Sequence, residues 1–413
     1  MKNKFTAGII VGSLSALLVC SIVFSVLFIN YRVSLQENHS PKTEQSSVAN
    51  KENQALIDEA LTRKMNYMQS MISKHFLYDV TAKDYDEAIL KGMMQALDDP
   101  YSCYYTVEEY QELNESINGT YCGIGAYVGQ NKDTLTMTIT KPFPEGPAAL
   151  AGVLAGDIIY KVDDEDVTGM DISSVVAKMK GEKGTKVKLT VLRGDNLEEF
   201  SFTIVRNEVQ VPTVDYKMMD NRIGLIYIAQ FDKVTVEQFM GAMDDLESQG
   251  MKGLIIDIRD NGGGLYTSCV AMLDRLIGKG LLVYTEAKNG QREEEFAKTN
   301  EAFTKPLVVL VNGNSASASE IFSGAIQDYK AGTIMGTQTF GKGIVQSVIP
   351  LYDGSAMKIT ISNYFTPKGR SIHKVGITPD VVVELDKDLV GIITEEEDNQ
   401  LQSAIEYLKK EIK

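Results

Sequence analysis

Only three histidines occur in the 413 residues, His39, His75 and His373, and they lie far apart. That scarcity removes the usual general base from most of the chain. The four cysteines, Cys20, Cys103, Cys122 and Cys269, show no CxxC spacing, so a zinc ribbon is not indicated. Cys103 and Cys122 are open either to pairing or to remaining free thiols. No basic stretch stands out, and 41 basic against 56 acidic residues leave a net charge of −15. A phosphate backbone is repelled by most of such a surface, so nucleic acid is not an expected partner. With 44% hydrophobic and 23% charged residues the composition is globular, which sets aside disordered and collagen-like classes for the whole chain. The length has room for two or three domains, each able to bury a core.

Charge is also missing from Phe5 to Ile29, a run rich in Ile, Val and Leu. At 1.5 Å per residue a helix there covers about 37 Å, enough for a hydrocarbon core of about 30 Å. Lys2 and Lys4 precede it and the bulk of the chain follows. The positive-inside tendency therefore predicts a single-pass anchor in the cell membrane, with the short N-terminus in the cytoplasm and the rest of the chain extracytoplasmic. A cleaved signal peptide and a lipoprotein signal at Cys20 are the alternatives. The run is long for a secretory h-region and no clear small-x-small site follows it. The Leu17-Leu18-Val19 before Cys20 lacks a small residue. Residues 31–54 are polar and read as a flexible tether.

From about Ala55 the pattern turns helical, with Leu56, Ala60, Met65, Met68, Met71 and Ile72 near a 3.6-residue period. The methionines read as core or interface filler rather than a cofactor box. A second helix over 85–97 stops at Asp98-Asp99-Pro100, and a third is expected over 107–117. After Gly119 the pattern becomes strand-like over 124–128, 134–140, 158–162, 186–192 and 199–204, with one helix over 172–179. From Arg222 strands and helices alternate: 223–228, 234–249, 253–258, 266–277, 307–311, 318–329 and 333–335. That alternation argues an α/β core with a largely parallel sheet, whose chemistry sits in loops beyond the strand ends.

Three segments carry chemistry. Asn312-Gly313-Asn314-Ser315-Ala316-Ser317-Ala318-Ser319-Glu320 joins a buried-type strand to a helix. A nucleophile at a helix N-terminus gains from unsatisfied N–H groups, although the pattern is also that of a plain small-residue cap. Asp257-Ile258-Arg259-Asp260-Asn261-Gly262-Gly263-Gly264 ends a strand in three glycines, suited to exposed N–H groups or to a tight turn. Thr339-Phe340-Gly341-Lys342-Gly343 sets a lysine beside an apolar segment. Burial there would lower its pKa and leave a neutral amine to act as base. The stretch nearly spells a phosphate-binding loop, but Gly343 stands where a Ser or Thr must hold Mg²⁺ and a strand pattern follows.

Together these segments resemble the carboxyl-terminal processing peptidases, also called tail-specific proteases. The resemblance implies that Ser317, the middle serine of the Ser-Ala-Ser-Ala-Ser-Glu run, is the nucleophile. It implies that Lys342 is the general base and Gln346 its partner, and the separation 342 − 317 = 25 agrees with the family spacing. The oxyanion donors it implies are the backbone N–H groups of Ala318 and Gly263. A residue four places along a strand lies about 13 Å away, so Gln346 needs a local turn to reach Lys342. Leu97-Asp98-Asp99-Pro100-Tyr101-Ser102 resembles the signature before the PDZ domain, with one extra Asp. Residues 364–372 and Pro379-Asp380 resemble the motif that closes the core. His373, in that motif beside Lys374, is set aside as a base, and Glu320 is read as a helix-start carboxylate.

The β-rich module resembles a PDZ domain, with Tyr121-Cys122-Gly123-Ile124-Gly125 as its carboxylate-binding loop. Its peptide-binding residues are expected to be Gly123, Ile124, Gly125 and Ala126, pairing a substrate tail along a strand over 124–128. The expected fold is α/β: a crotonase-like peptidase core with an inserted PDZ domain, an N-terminal helical segment and a single transmembrane helix. The divisions are 1–30 (tip and anchor), 31–54 (tether), 55–118 (helical region), 119–206 (PDZ), 207–380 (core) and 381–413 (C-terminal helical segment). The expected function is a serine endopeptidase acting on the C-terminal tails of exported or membrane proteins. The rival reading is a non-catalytic tail-binding scaffold. The expected partners are polypeptides with exposed tails and the membrane, with a homo-oligomer left open, and no metal or cofactor is implied.

Overall fold

A computed structural model describes residues 57–386 and 394–412. The first described unit ends at Val80 and contributes helix α1 (Glu59–His75), whose first turn is capped by the Asp58 carboxylate accepting from Leu61 N–H at 2.7 Å. The expected anchor over 5–29 and the tether lie outside the described residues. Among the described residues no helix is long and apolar enough to cross a membrane. The longest, α1, has 17 residues and carries Glu59, Arg63, Lys64 and Lys74. A charged helix of roughly 25 Å cannot replace a hydrocarbon-spanning run. The transmembrane element of the expected fold and the cell-membrane location with its membrane partner are corrected accordingly.

The second unit runs from Thr81 and begins with α2 (Ala82–Gln95), opened by a reciprocal Thr81/Asp84 capping box. Strand β1 (Cys103–Tyr105) and helix α3 (Val107–Asn118) follow, the latter closed by Gly119 in the left-handed conformation. The chain then enters a β-module through β2 (Thr120–Gly123) and leaves it through β9 (Asn207–Gln210), which pair antiparallel as a two-stranded stem. Inside lie β3 (Ala126–Gln130), β4 (Met137–Pro142), α4 (Pro147–Ala151), β5 (Ile158–Val162), β6 (Glu165–Asp166), α5 (Ile172–Met179), β7 (Lys186–Arg193) and β8 (Glu198–Val205). Their sheet runs β3-β4-β5-β7-β8, so β3 is an edge strand with one side unpaired. A separate core of Ile139, Val162, Val175, Val187, Leu189 and Val191 holds the module together.

The larger body carries a six-stranded sheet in the order β10-β11-β12-β15-β16-β19. Its members are β10 (Val214–Met219), β11 (Ile223–Ile228), β12 (Gly253–Asp257), β15 (Leu307–Val311), β16 (Thr333–Gly336) and β19 (Val381–Val382). All neighbours are parallel except β10 with β11. Strands β12 and β15 are buried at every position, as uninterrupted aliphatic runs require when both sheet faces are covered. Helices α6 (Lys233–Ser248), α7 (Tyr266–Ile277) and α8 (Ala318–Tyr329) bury Phe239, Met243, Leu273 and Phe322 in one core. The C-terminal α9 (Asn399–Glu411) buries Leu401, Ala404 and Leu408 in another. Its capping Asp398 is tied to Arg259, which also grips Asp257.

A second sheet, not foreseen as a unit, joins β1, β13 (Leu281–Ala287), β14 (Arg292–Phe296), β17 (Ile344–Pro350) and β18 (Ala356–Phe365). Here β1, which precedes the β-module, pairs with β18, which follows it, so the module is an insertion into the larger body. Cys103, Cys122 and Cys269 are free thiols.

Candidate active site

Ser317 caps α8 with φ 57° and ψ −113°, a conformation non-glycine residues rarely adopt. The strain is held by hydrogen bonds on both sides of the turn. Ser315 Oγ donates to Ile258 O at 2.8 Å, and Ser319 Oγ donates to Asn261 O at 2.8 Å. The Ser317 N–H donates to Glu320 Oε2 at 2.9 Å. Ala318, the next residue, begins the helix, so its N–H is one of the amides that helical geometry leaves free.

The glycine loop lies directly against this turn. A Cβ on Gly263 would stand 2.9 Å from Ser317 Cβ and 3.0 Å from Ala318 N, a distance only glycine permits. Gly263 therefore lies against the Ser317 turn. Its own N–H, however, donates to Asn261 Oδ1 at 2.8 Å. Asn261 is fully buried and also donates to Ile228 O at 2.8 Å, bracing the two loops.

The lysine loop meets the serine loop through Glu320, whose side chain is wholly buried. Its Oε1 accepts from Thr339 Oγ1 at 2.6 Å and Gly341 N–H at 2.7 Å. Its Oε2 accepts from Lys342 N–H at 2.7 Å as well as from Ser317. Four donors satisfy both oxygens of this buried side chain. Tyr364, from the closing motif, places its hydroxyl between the carbonyls of Ser317, at 3.0 Å, and Lys342. On the other side, Gly343 lets the His373 backbone approach, since a Cβ there would lie 2.4 Å from His373 N. His373 thus packs behind the lysine.

Lys342 Nζ sits 4.5 Å from the centre of the Tyr101 ring. Burial holds its pKa below the usual lysine range, helped by Lys358 and opposed by Asp99 and Glu320. Asp99 is itself raised by burial, but bonds from Ser102, Thr360 and the Tyr101 N–H, with Lys342 nearby, bring it below the ordinary carboxylate value. Gln346 Nε2 donates to Thr360 Oγ1 at 3.2 Å, and Thr360 Oγ1 donates to Asp99 Oδ2 at 2.6 Å. The pairing of β17 with β18 slips between Val345 and Gln346. Ser317, Ala318, Lys342 and Gln346 all line one cavity of about 390 Å³. Among the described residues no hydrogen bond joins Ser317 to the Lys342 ammonium, nor Gln346 to Lys342.

The peptidase family S41 model matches residues 222–383, a PDZ model matches 138–193, and the N-terminal domain model of the activating protease CtpB matches 21–109. The carboxy-terminal processing protease CtpA of Bacillus subtilis is 38% identical over 78% of this chain and 69% of its own length. The carboxyl-terminal-processing protease of Synechocystis is 32% identical over 86% of this chain and 84% of its own. The chain belongs to the carboxy-terminal processing proteases of peptidase family S41. It is a serine-type peptidase with a PDZ domain. A solved S41 protease from Bacteroides fragilis superimposes at TM-score 0.51 with 16% identity, covering 83% of this chain and 97% of that one, a likeness of fold.

In this processing protease the PDZ groove is a cavity of about 280 Å³ between edge strand β3 and helix α5, lined among others by Ile124, Ala126, Val128, Val176 and Met179. Gly125, with φ 73°, turns the chain at its end, while Gly123 pairs in the stem with Asn207. The Tyr121 phenol is pushed up by burial, a shift that the nearby backbone of Ala126 and Gly125 opposes. Sequence reading missed Asn261, Tyr364, Thr360 and the fourfold role of Glu320. Glu320 and Asn261 stood inside the motifs already quoted, so their position was visible, but their partners come from distant segments.

Proposed function

We propose that this processing protease cuts polypeptides with a Ser317/Lys342 pair, after its PDZ groove has taken the substrate's C-terminal tail. The observation that carries the reading is that one oxygen, Glu320 Oε2, bonds the backbone N–H of both Ser317 and Lys342. Two loops 25 residues apart are thereby hung from a single atom beside the cavity. Lys342, its pKa lowered chiefly by burial, supplies a neutral amine that takes the Ser317 proton. Ser317 attacks the scissile carbonyl, the Ala318 N–H meets the oxyanion, and water then hydrolyses the acyl-enzyme.

Two adjustments separate the observed arrangement from a reacting one. Lys342 Nζ must leave the Tyr101 ring for Ser317 Oγ, with Gln346 as its partner on arrival. Gly263 must release Asn261 if its N–H is to join Ala318 as an oxyanion donor. Both fit a resting state. For the tail, the open side of β3 offers the backbone groups of β-augmentation, with Gly123, Ile124, Gly125 and Ala126 around the terminal carboxylate. The stem pairing of β2 with β9 supports a PDZ division near 119–206 within a core that resumes at about 207.

The test is digestion of an unfolded protein with an apolar C-terminus, followed by mass spectrometry, with wild type and Ser317→Ala. Cleavage by wild type alone is expected. Equal cleavage by both would remove Ser317 from its role. Silence from both, with a tail peptide added, would favour a tail-binding scaffold.

A further inference from the structure

Asp232 is an acid that the reaction above does not use. It lines the same cavity as Ser317 and Lys342, with only 5% of its surface exposed. It stands at the N-cap of α6, where its N–H donates to Thr235 Oγ1 at 2.9 Å. One carboxylate oxygen, Oδ1, accepts from Gln230 Nε2 at 2.9 Å. Among the described residues no side chain is bonded to the other oxygen and no cation pairs with the group.

The surroundings say what would satisfy it. The end of α3 closes over it, since a Cβ on Gly119 would lie 3.3 Å from Asp232 Cβ. Leu113 and Ile117 of α3, with Leu265, give the cavity apolar wall, and Asp232 is its one carboxylate. The other titratable groups facing the cavity are Lys342, Lys358, Tyr266 and Tyr364. Neither lysine forms an ion pair with Asp232, and burial pushes its pKa up to about 6, opposed by the Gln230 bond. The carboxylate also faces the Thr235 N–H in a reciprocal capping box, so its polar contacts are neutral ones, and a buried carboxylate without a cationic partner is stabilised by one that brings a cation.

We propose that Asp232 is a specificity-determining residue of the cleft, receiving the ammonium or guanidinium of a lysine or arginine in the bound substrate segment. The aliphatic stem of such a side chain covers apolar wall while its head reaches the acid. This rests on the reading of the cavity as the substrate cleft. It is independent of which PDZ tail is preferred, because the contact is made beside Ser317.

The test uses peptides amidated at the C-terminus, so that the PDZ groove has no carboxylate to take. One series carries lysine and a matched series norleucine, scanned through the positions flanking a mapped cleavage site. Binding is measured on the Ser317→Ala protein, with and without Asp232→Asn, and kcat/KM on the protein with intact Ser317. At pH 8 one position is expected to favour lysine by about tenfold. That ratio falls towards one in Asp232→Asn and at pH 5, where the carboxyl is protonated. Asparagine keeps both shape and capping ability at this position. No lysine preference at any position, or an equal preference in Asp232→Asn, would overturn the assignment. Persistent cleavage by Ser317→Ala would instead sink the serine reading and leave the binding ratios standing.

Discussion

The two walls of the catalytic cavity are built to different standards. On the serine wall every polar group near Ser317 is tied down: Ser315, Ser319, Asn261 and Glu320 are all buried and bonded. On the lysine wall only the backbone of Lys342 is held, and its ammonium rests against the face of Tyr101. Gln346 faces Thr360 rather than the lysine. A strained nucleophile needs neighbours that over-determine its backbone, and it cannot be rearranged at each turnover. A long, unbranched side chain can swing between a ring and a hydroxyl by rotamer changes alone. On the proposed Ser317/Lys342 mechanism, the contrast assigns the activating movement to the base rather than to the nucleophile.

The comparison can be broken most directly at Lys342. Lys342→Ala is expected to lower kcat by about 1,000-fold, and Lys342→Arg should not rescue it, because guanidinium stays charged. Recovery of activity by the arginine variant in a single-turnover assay would show that a positive charge, not a neutral amine, is needed.

On the rigid wall, Glu320→Gln should destabilise the fold by roughly 2–4 kcal/mol, since an amide cannot replace an anion that serves four donors. Urea unfolding checks the stability. A serine loop that loses its position should also lower kcat without moving the pH profile, as Glu320 acts through backbone placement.

On the loose wall, Asp99→Asn should move the acid limb of the kcat/KM profile. Asp99 favours the charged form of Lys342, so removing its charge lowers the lysine pKa further. The neutral base is then present at lower pH, and the limb shifts towards acid. A shift towards alkali would mean that Asp99 helps the reaction by another route.

The smallest effect is expected in the PDZ groove. Tyr121→Phe removes a hydroxyl that stands near the backbone of Ala126 and Gly125, and tail peptides should bind a few-fold more tightly. Fluorescence anisotropy with a peptide bearing a free carboxylate would read this. Unchanged affinity would mean that the phenol oxygen does not compete with the tail.

Much of the α/β body was legible in the chain. The helices over 172–179, 266–277 and 318–329 and the strand over 307–311 fall at the positions expected from periodicity. Local pattern sufficed there because each element's burial repeats along its own length. The anchor expected over 5–29 is a different matter, since no described helix can span a membrane and the run itself lies outside the described residues. The antiparallel sheet of β1, β13, β14, β17 and β18 was not read as a unit, because it draws strands from 103 to 365 and its two-sided strands lack a continuous apolar run.

Sequence alone supplied the three motif loops and, through their resemblance to the processing peptidases, the candidates Ser317 and Lys342 in a chain with only three histidines. Tertiary structure decided how those residues stand towards one another. Glu320 gathers amides from positions 317, 341 and 342, Tyr101 holds the ammonium from a segment on the far side of the PDZ insertion, and Asp232 is turned unpaired into the cleft. Most of these contacts join residues tens to hundreds of positions apart. They depend on how loops meet after the sheets have packed, and local sequence does not encode that geometry.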